Sequence, residues 1–507
     1  MAMVYGLKRS QQDAISNVLF AICGYGTVIY WLHRCLLSPD STNYLTAAKN
    51  LVEHGRMFVF TNWPNLTLEP IEVPYSVQPF GYPLYLAAFI LVFHDPLVSA
   101  LIAQSVSIVL LFFALHRFTR LAKLKFSLRV TLLFIICSIQ SLTDIFANLW
   151  TESLFLALTL LLLLSVNRAY SKNRRRWDSL ISAGLLVSTA SLRFIGVFGL
   201  GFFVPALLRG RLRFRSFVGF GLLAMVPNLF WYARNRILSG GNFAEHYGWS
   251  SAHIGARLAN VVQSLKYSLA FDSYLVLLLF VALIIIAIRY ARSVENALPR
   301  ESGSIGETAL AGLLGHFLGL TLLGALSTIG DLLVPEREQA RLLVTVYILF
   351  FLWAHTLVNR LPPRGYIVGM LCFMSLLANP KFFYLRSRLE FYPSIRSPIE
   401  RELWAEIREK SVVKNASFFY SNYNFIHQVF SGKTQRIIWD GVENLKNLSP
   451  ASQQKILEKM KSSAKPFLLV ELNSELRRFA DTKVGAWGLE RLDLSRYGFF
   501  LYSFKNE

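Results

Sequence analysis

A polytopic α-helical membrane protein with a small α/β region at its C-terminal end is the architecture this sequence predicts, and three observations predict it. Hydrophobic residues make up 54% of the 507, with 40 Phe and 10 Trp, and the mean hydropathy is +0.41; soluble domains do not carry that balance. Apolar runs of about 20 residues, the length that crosses a hydrocarbon core of roughly 30 Å, recur up to about residue 380. From about residue 381 short apolar runs alternate with amphipathic stretches instead.

The formal net charge of +21 does not point to nucleic acid. Lys and Arg sit in short runs between apolar spans, with no continuous basic face and no interleaving of basic and aromatic residues. They fit the positive-inside bias of a membrane protein. Cys23, Cys35, Cys137 and Cys372 all lie in or beside apolar runs, so neither a disulfide framework nor a thiolate metal site is expected. A few basic residues precede the first span and no small-residue cleavage site follows it, which reads as a retained first helix.

Spans are expected near 14–37, 97–116, 127–147, 150–167, 216–233, 272–291, 306–330 and 341–359. A shorter run at 364–379 is accepted as a tilted span, and 178–192 with 194–208 as a pair of short spans meeting at Arg193. The run 79–94 decides the topology. Counted as a crossing, it would put Arg117, Arg120, Lys123, Lys125 and Arg129 outside, against the charge bias; read as an interfacial helix it restores consistency. About eleven spans result, with the N-terminus cytoplasmic. The outer face then carries a first loop at 38–96, the turn from Asp144 to Glu152, the Arg193 tip, 234–271, 331–340 and everything after about 380.

Domain boundaries follow at 1–380 for the membrane part and 381–507 for an extracytoplasmic α/β domain. In the latter, Ser417 to Tyr420, Arg436 to Trp439, Pro466 to Leu472 and Gly498 to Phe504 read as strands, and Ile399 to Lys410 and Ala451 to Lys461 as helices. No glycine-rich phosphate loop appears there, so a nucleotide site lacks support.

The candidate chemistry all falls outside. Asp40, directly after the first span in Ser38-Pro39-Asp40-Ser41, is a carboxylate placed to take a proton from an acceptor hydroxyl. Helix capping before a segment Asn43 to His54 is its structural alternative. Glu152 in Trp150-Thr151-Glu152-Ser153 stands at the outward start of a long apolar span, as a first-turn residue or a cavity residue; Thr151 and Asn148 are alternatives as caps of that helix. Arg193, between two apolar runs, is the costliest basic residue in the chain. With Arg234-Asn235, Arg337 and Arg341 it supplies cations suited to a lipid phosphate through the guanidinium fork. Tyr82 and His253 complete the outer candidates for substrate contact. No HxxxH or HxE spacing links the outer histidines, so they form no metal site of their own. A divalent metal has ligands only if Asp40 joins Glu69 or Glu72, and the metal set stays unassigned.

These residues resemble a family. Pro39-Asp40-Ser41 with Tyr44, Ala47-Ala48, Leu51 and Gly55, then Pro79-Phe80-Gly81-Tyr82-Pro83-Leu84, resembles the first-loop pattern of GT-C glycosyltransferases, in the protein mannosyltransferase and aminoarabinose-transferase-like branch. Further matches fall in the same order: Thr151-Glu152-Ser153-Leu154-Phe155, Leu192-Arg193-Phe194-Ile195-Gly196, Trp231 to Asn235, and Glu336-Arg337 through Arg341-Leu342-Leu343. Tyr420-Ser421-Asn422 with Ser431-Gly432-Lys433 is similar to the C-terminal α/β domain of the same enzymes. The resemblance implies a GT-C-like fold with juxtamembrane helices in the first outer loop. It also implies inverting transfer from a polyprenyl-phosphate sugar to a glycan, lipid or protein acceptor in a cell inner or plasma membrane, with Asp40 as base. Where relatives often carry a second acid or an acid-Lys pair before the Pro-rich turn, this chain has Ser76-Val77-Gln78. Two further readings compete: a transporter or scaffold that binds a lipid-linked sugar without chemistry, and a polysaccharide polymerase or ligase.

Overall fold

Hydrocarbon offers no partner for backbone N–H and C=O groups, so an apolar run must satisfy them within itself. In the computed structural model of this chain the described apolar runs are helices. It describes residues 8–61, 71–76, 78–171, 177–238, 254–260, 305–326 and 344–363, positions between 366 and 407, and from 418 onward chiefly the strands given below. Among the described residues five helices are long and apolar enough to cross a membrane: α1 (Arg9–Arg34), α4 (Pro96–Leu121), α7 (Thr151–Ala169), α10 (Phe214–Leu238) and α11 (Ile305–Leu326). Shorter apolar helices are α3 (Gly81–Phe93), α5 (Phe126–Ser138), α8 (Asp178–Leu192) and α12 (Val344–Arg360). Large apolar side chains stand exposed along α1 (Ile15, Val18, Ile22, Ile29) and α10 (Leu222, Val226, Phe230), the surface that lipid tails cover at no cost.

Several expected spans are modified. The run 127–147 is not one helix, because α5 stops at Ser138, Ile139 adopts an extended backbone, and α6 (Gln140–Ala147) starts afresh. The run 194–208 begins as a 3₁₀ helix (Phe194–Phe203) and becomes α-helical only over α9 (Val204–Leu208). At 13 residues α3 is about 20 Å long, too short for a full crossing. Residues 272–291 lie outside the described residues.

The chain packs as two compact units. The first comprises Met1–Leu32, Ser76–Tyr82 and Ile102–Leu389. Within it α11 runs against the 3₁₀ helix, α7 against α8, and α11 against α12. Glycine permits the closest of these approaches: a Cβ on Gly312 would run into the Phe202 ring, and one on Gly319 into the Phe198 ring. Arg129 is tied across the unit to Asp13 at 2.6 Å.

The second unit comprises His33–Tyr75, Pro83–Leu101 and Glu390–Glu507. Its α2 (Pro39–His54) is followed by a hairpin of β1 (Phe58–Thr61) and β2 (Ile71–Pro74), antiparallel with Val59 opposite Val73. Asn50 Nδ2 donates to the Phe58 carbonyl at 2.9 Å and holds α2 to β1. Toward the C-terminus a five-stranded sheet is built from β3 (Phe418–Ser421), β4 (Thr434–Ile437), β5 (Phe467–Glu471), β6 (Leu489–Leu494) and β7 (Phe499–Phe504), in the order β4-β3-β5-β7-β6. β4, β3 and β5 are parallel; β5, β7 and β6 are antiparallel. Expected strands correspond to β3, β4, β5 and β7. β6 is additional: it is an edge strand bearing Glu490, Arg491 and Asp493, and charge on an edge both protects it and masks its strand pattern. The helix expected at 451–461 lies outside the described residues.

Candidate active site

In the first unit the chemistry gathers at the entry to α7. α6 ends at Ala147, Asn148 and Trp150 are extended, and α7 starts at Thr151. The residue before the helix is Trp150, which has no side-chain oxygen to cap it. Neither Thr151 nor Asn148 acts as the cap. The Thr151 hydroxyl instead donates to Glu152 Oε2 at 3.2 Å and receives Arg193 Nη1 at 3.3 Å.

Arg193 Nη1 lies 2.5 Å from Glu152 Oε1. Arg193, the costliest basic residue by sequence, is therefore paired with Glu152. The Glu152 side chain is 5% exposed and that of Arg193 20%, so the pair is nearly withdrawn from water and neither charge is stable there alone. Arg193 ends α8 with an extended backbone, φ −150° and ψ 140°, which interrupts the helix before the 3₁₀ segment. A guanidinium carries five N–H donors in a rigid fork, so an Arg anchored by one carboxylate has the geometry to present donors to another oxyanion.

The Pro-rich segment of the first loop reaches the same unit. A Cβ on Gly81 would stand 2.6 Å from the Ser191 carbonyl oxygen, so only glycine allows this turn to lie against the end of α8, two residues before Arg193. Buried Tyr82 donates its hydroxyl to Gln104 Oε1 at 3.5 Å. The end of α10 holds the preceding residues: Trp231 Nε1 donates to the Gln78 carbonyl at 3.0 Å, and Asn235 Nδ2 to that of Ser76 at 3.3 Å. Phe80 packs on the Trp231 ring at 5.3 Å between centroids. Arg234 lies over the same ring at 4.3 Å and donates to Asn235 Oδ1 at 2.8 Å. Motifs that are far apart in sequence, at 76–82, 151–153, 191–193 and 231–235, are thus joined within one unit.

Asp40 belongs to the second unit. The capping residue of α2 is Ser38, whose hydroxyl accepts from Ser41 N at 3.2 Å, while Ser41 Oγ accepts from Ser38 N at 3.1 Å. Pro39 takes the first helical position and Asp40 the second, half-buried. The helix begins earlier than Asn43, and capping does not account for Asp40.

Arg337, Arg341, His253 and Glu69 lie outside the described residues. Among the described residues no group of three or more His, Cys, Asp or Glu comes together as a metal cluster. One polar residue at the centre of the first-unit site escaped sequence reasoning: Gln104, in α4. A primary amide in an apolar run, in Ala103-Gln104-Ser105, was the signal, by the same cost argument that singles out Arg193.

In fold the chain is similar to the crystal structure of ArnT from Cupriavidus metallidurans bound to undecaprenyl phosphate, with a TM-score of 0.61 and 9% identity over 97% of this chain and 99% of that one. It is also similar to the cryo-EM structure of the arabinofuranosyltransferase AftD from Mycobacteria, with a TM-score of 0.53 and 12% identity; that match covers 96% of this chain and 40% of AftD. No protein-family model matches the chain, and no curated protein matches it in sequence. At these identities the likeness is one of fold. The chain shares the fold of these two solved structures over nearly its whole length, in keeping with the fold its motif order implied.

Proposed function

We propose that the protein is an inverting glycosyltransferase that moves a sugar from a polyprenyl-phosphate donor to a hydroxyl acceptor on the extracytoplasmic face of a cell inner or plasma membrane. One observation carries this reading: a protein of this fold, ArnT, holds undecaprenyl phosphate, and the likeness runs over nearly the full length of both chains.

Asp40 takes the proton of the acceptor hydroxyl as its oxygen attacks the anomeric carbon from the face opposite the phosphate. The bond from that carbon to the phosphate oxygen breaks, and polyprenyl phosphate leaves with the electron pair. Charge then develops on the phosphate, where preorganised cations stabilise the transition state. Arg193 supplies this, joined by Arg234 and by Arg337 and Arg341 from the following outer loop. Glu152 orients both Arg193 and the sugar, and Tyr82, Asn235 and His253 contact substrate.

The test is transfer by purified protein in vesicles carrying polyprenyl-phosphate sugars, with the product identified by mass spectrometry. Asp40→Asn is expected to lower the rate by about 10² to 10⁴. Full transfer by that variant rejects Asp40 as base. Passage of the lipid-linked sugar across the vesicle with no new glycosidic bond rejects the enzyme reading in favour of a transporter.

A further inference from the structure

We infer that Gln104 is a positioning residue that sets the α6–α7 corner, and with it the Glu152–Arg193 pair; this rests on that pair belonging to the site. Gln104 sits about two turns into α4 and is fully buried. An amide in such a place is tolerated only when its donors and acceptor are bonded. Gln104 bonds both ends, and every bond reaches the site. The two hydrogens of its Nε2 are shared among three acceptors, the Asn148 carbonyl at 2.8 Å, the Ser153 hydroxyl at 2.9 Å and the Ile145 carbonyl at 3.2 Å. Its Oε1 accepts from Tyr82.

The three acceptors of Nε2 bracket the turn that delivers Glu152. Ile145 is in the last turn of α6, Asn148 ends that helix, and Ser153 follows Glu152 in the first turn of α7. Trp150 N also donates to the Asn148 carbonyl at 3.0 Å, which tightens the corner from inside. Trp150 gives α7 no side-chain cap, and Gln104, a donor through Nε2, does not cap it but ties the Ser153 hydroxyl in its first turn to the carbonyls at the end of α6. The Oε1 end holds Tyr82, next to the Gly81 that lies against Ser191. One side chain therefore braces the acid from its own helix and the Arg193 turn from the Pro-rich segment. Misplacing a reacting or binding group by about 1 Å costs as much as 10² in rate, so a brace of this kind acts on turnover.

Gln104→Met keeps the side-chain length and removes all four bonds, and Glu152→Gln supplies the reference. Donor KM and kcat are measured separately, alone and in combination, with hydrogen–deuterium exchange over residues 145–153. Gln104→Met is expected to lower kcat by about 10- to 100-fold with KM little changed, and to raise exchange across 148–153. On the Glu152→Gln background the same change is expected to cost no more than about twofold further, the non-additivity of residues acting through one another. A kcat within about twofold of the parent in folded Gln104→Met, or costs that multiply fully with those of Glu152→Gln, overturns the inference. If Glu152→Gln itself retains full transfer, the reading of the pair fails, and the exchange arm still decides on Gln104: unchanged exchange at 148–153 rejects it. Where Gln104→Met does not fold, Ser153→Ala, which deletes a single bond, is read in the same way with a fall of about three- to tenfold.

Discussion

Arg193 Nη1 stands 2.5 Å from Glu152 Oε1, the carboxylate on the first turn of α7 and the guanidinium on the residue that ends α8. Their contact fixes where α8 gives way to the 3₁₀ helix and leaves a buried, net-neutral polar centre in an apolar unit. Its stability and its function are separable by substitution.

Removing one partner leaves the other charge buried. Glu152→Leu or Arg193→Met should each cost about 3 kcal/mol, the low end for a buried pair, because Arg193 keeps part of its side chain in contact with solvent. The double variant should recover most of that loss and still transfer no sugar. Thermal unfolding in detergent and the vesicle transfer assay read the two effects. A double variant as unstable as the worse single change would show that the pair is not the source of the loss.

Ser38 and Asp40 should divide the roles that their sequence context left joined. Ser38→Ala removes the reciprocal cap of α2 and should cost about 1 kcal/mol of stability, with catalysis per folded molecule retained. Asp40→Asn should cost less than about 0.5 kcal/mol, as expected for a first-turn position that is not the cap, while lowering transfer by about 10² to 10⁴. Calorimetry beside initial rates distinguishes them; equal losses of stability would return Asp40 to a capping role.

The contact between α11 and the 3₁₀ helix has no room for a methyl group at Gly312. Gly312→Ala should destabilise by about 1 to 3 kcal/mol through overpacking against Phe202. Phe202→Leu in the same chain should relieve much of that cost, although Phe202→Leu alone is destabilising. Unfolding temperatures of the four proteins give the coupling, and additive losses would mean that the ring moves aside freely.

Helices, their approximate limits and the C-terminal strands were readable because each is a local pattern: apolar length for spans, alternation for β3, β4, β5 and β7. The reading failed where local pattern and packing disagree. The run read as one span at 127–147 is polar at Ser138, Gln140 and Ser141, yet those residues alone do not dictate that Ile139 is extended. The charged edge strand β6 is a strand only because β7 pairs with it.

The site divides along the same line. By itself the sequence determined which residues are expensive: Asp40 at the end of a span, Glu152 at the start of another, Arg193 between two, since an ionisable group in an apolar run needs a reason wherever it occurs. Tertiary structure alone decided which contacts these residues make. It paired Arg193 with Glu152, assigned the cap of α2 to Ser38 and not Asp40, and made Gln104 the brace behind the α7 corner. The first and last of these rest on contacts between residues tens of positions apart, 41 for Arg193 with Glu152 (193 minus 152) and 44 for Gln104 with Asn148, whereas the α2 cap is a local contact of Ser38 with Ser41. Burial cost can be read from one stretch of chain; the partner that offsets it is set by which helices pack together.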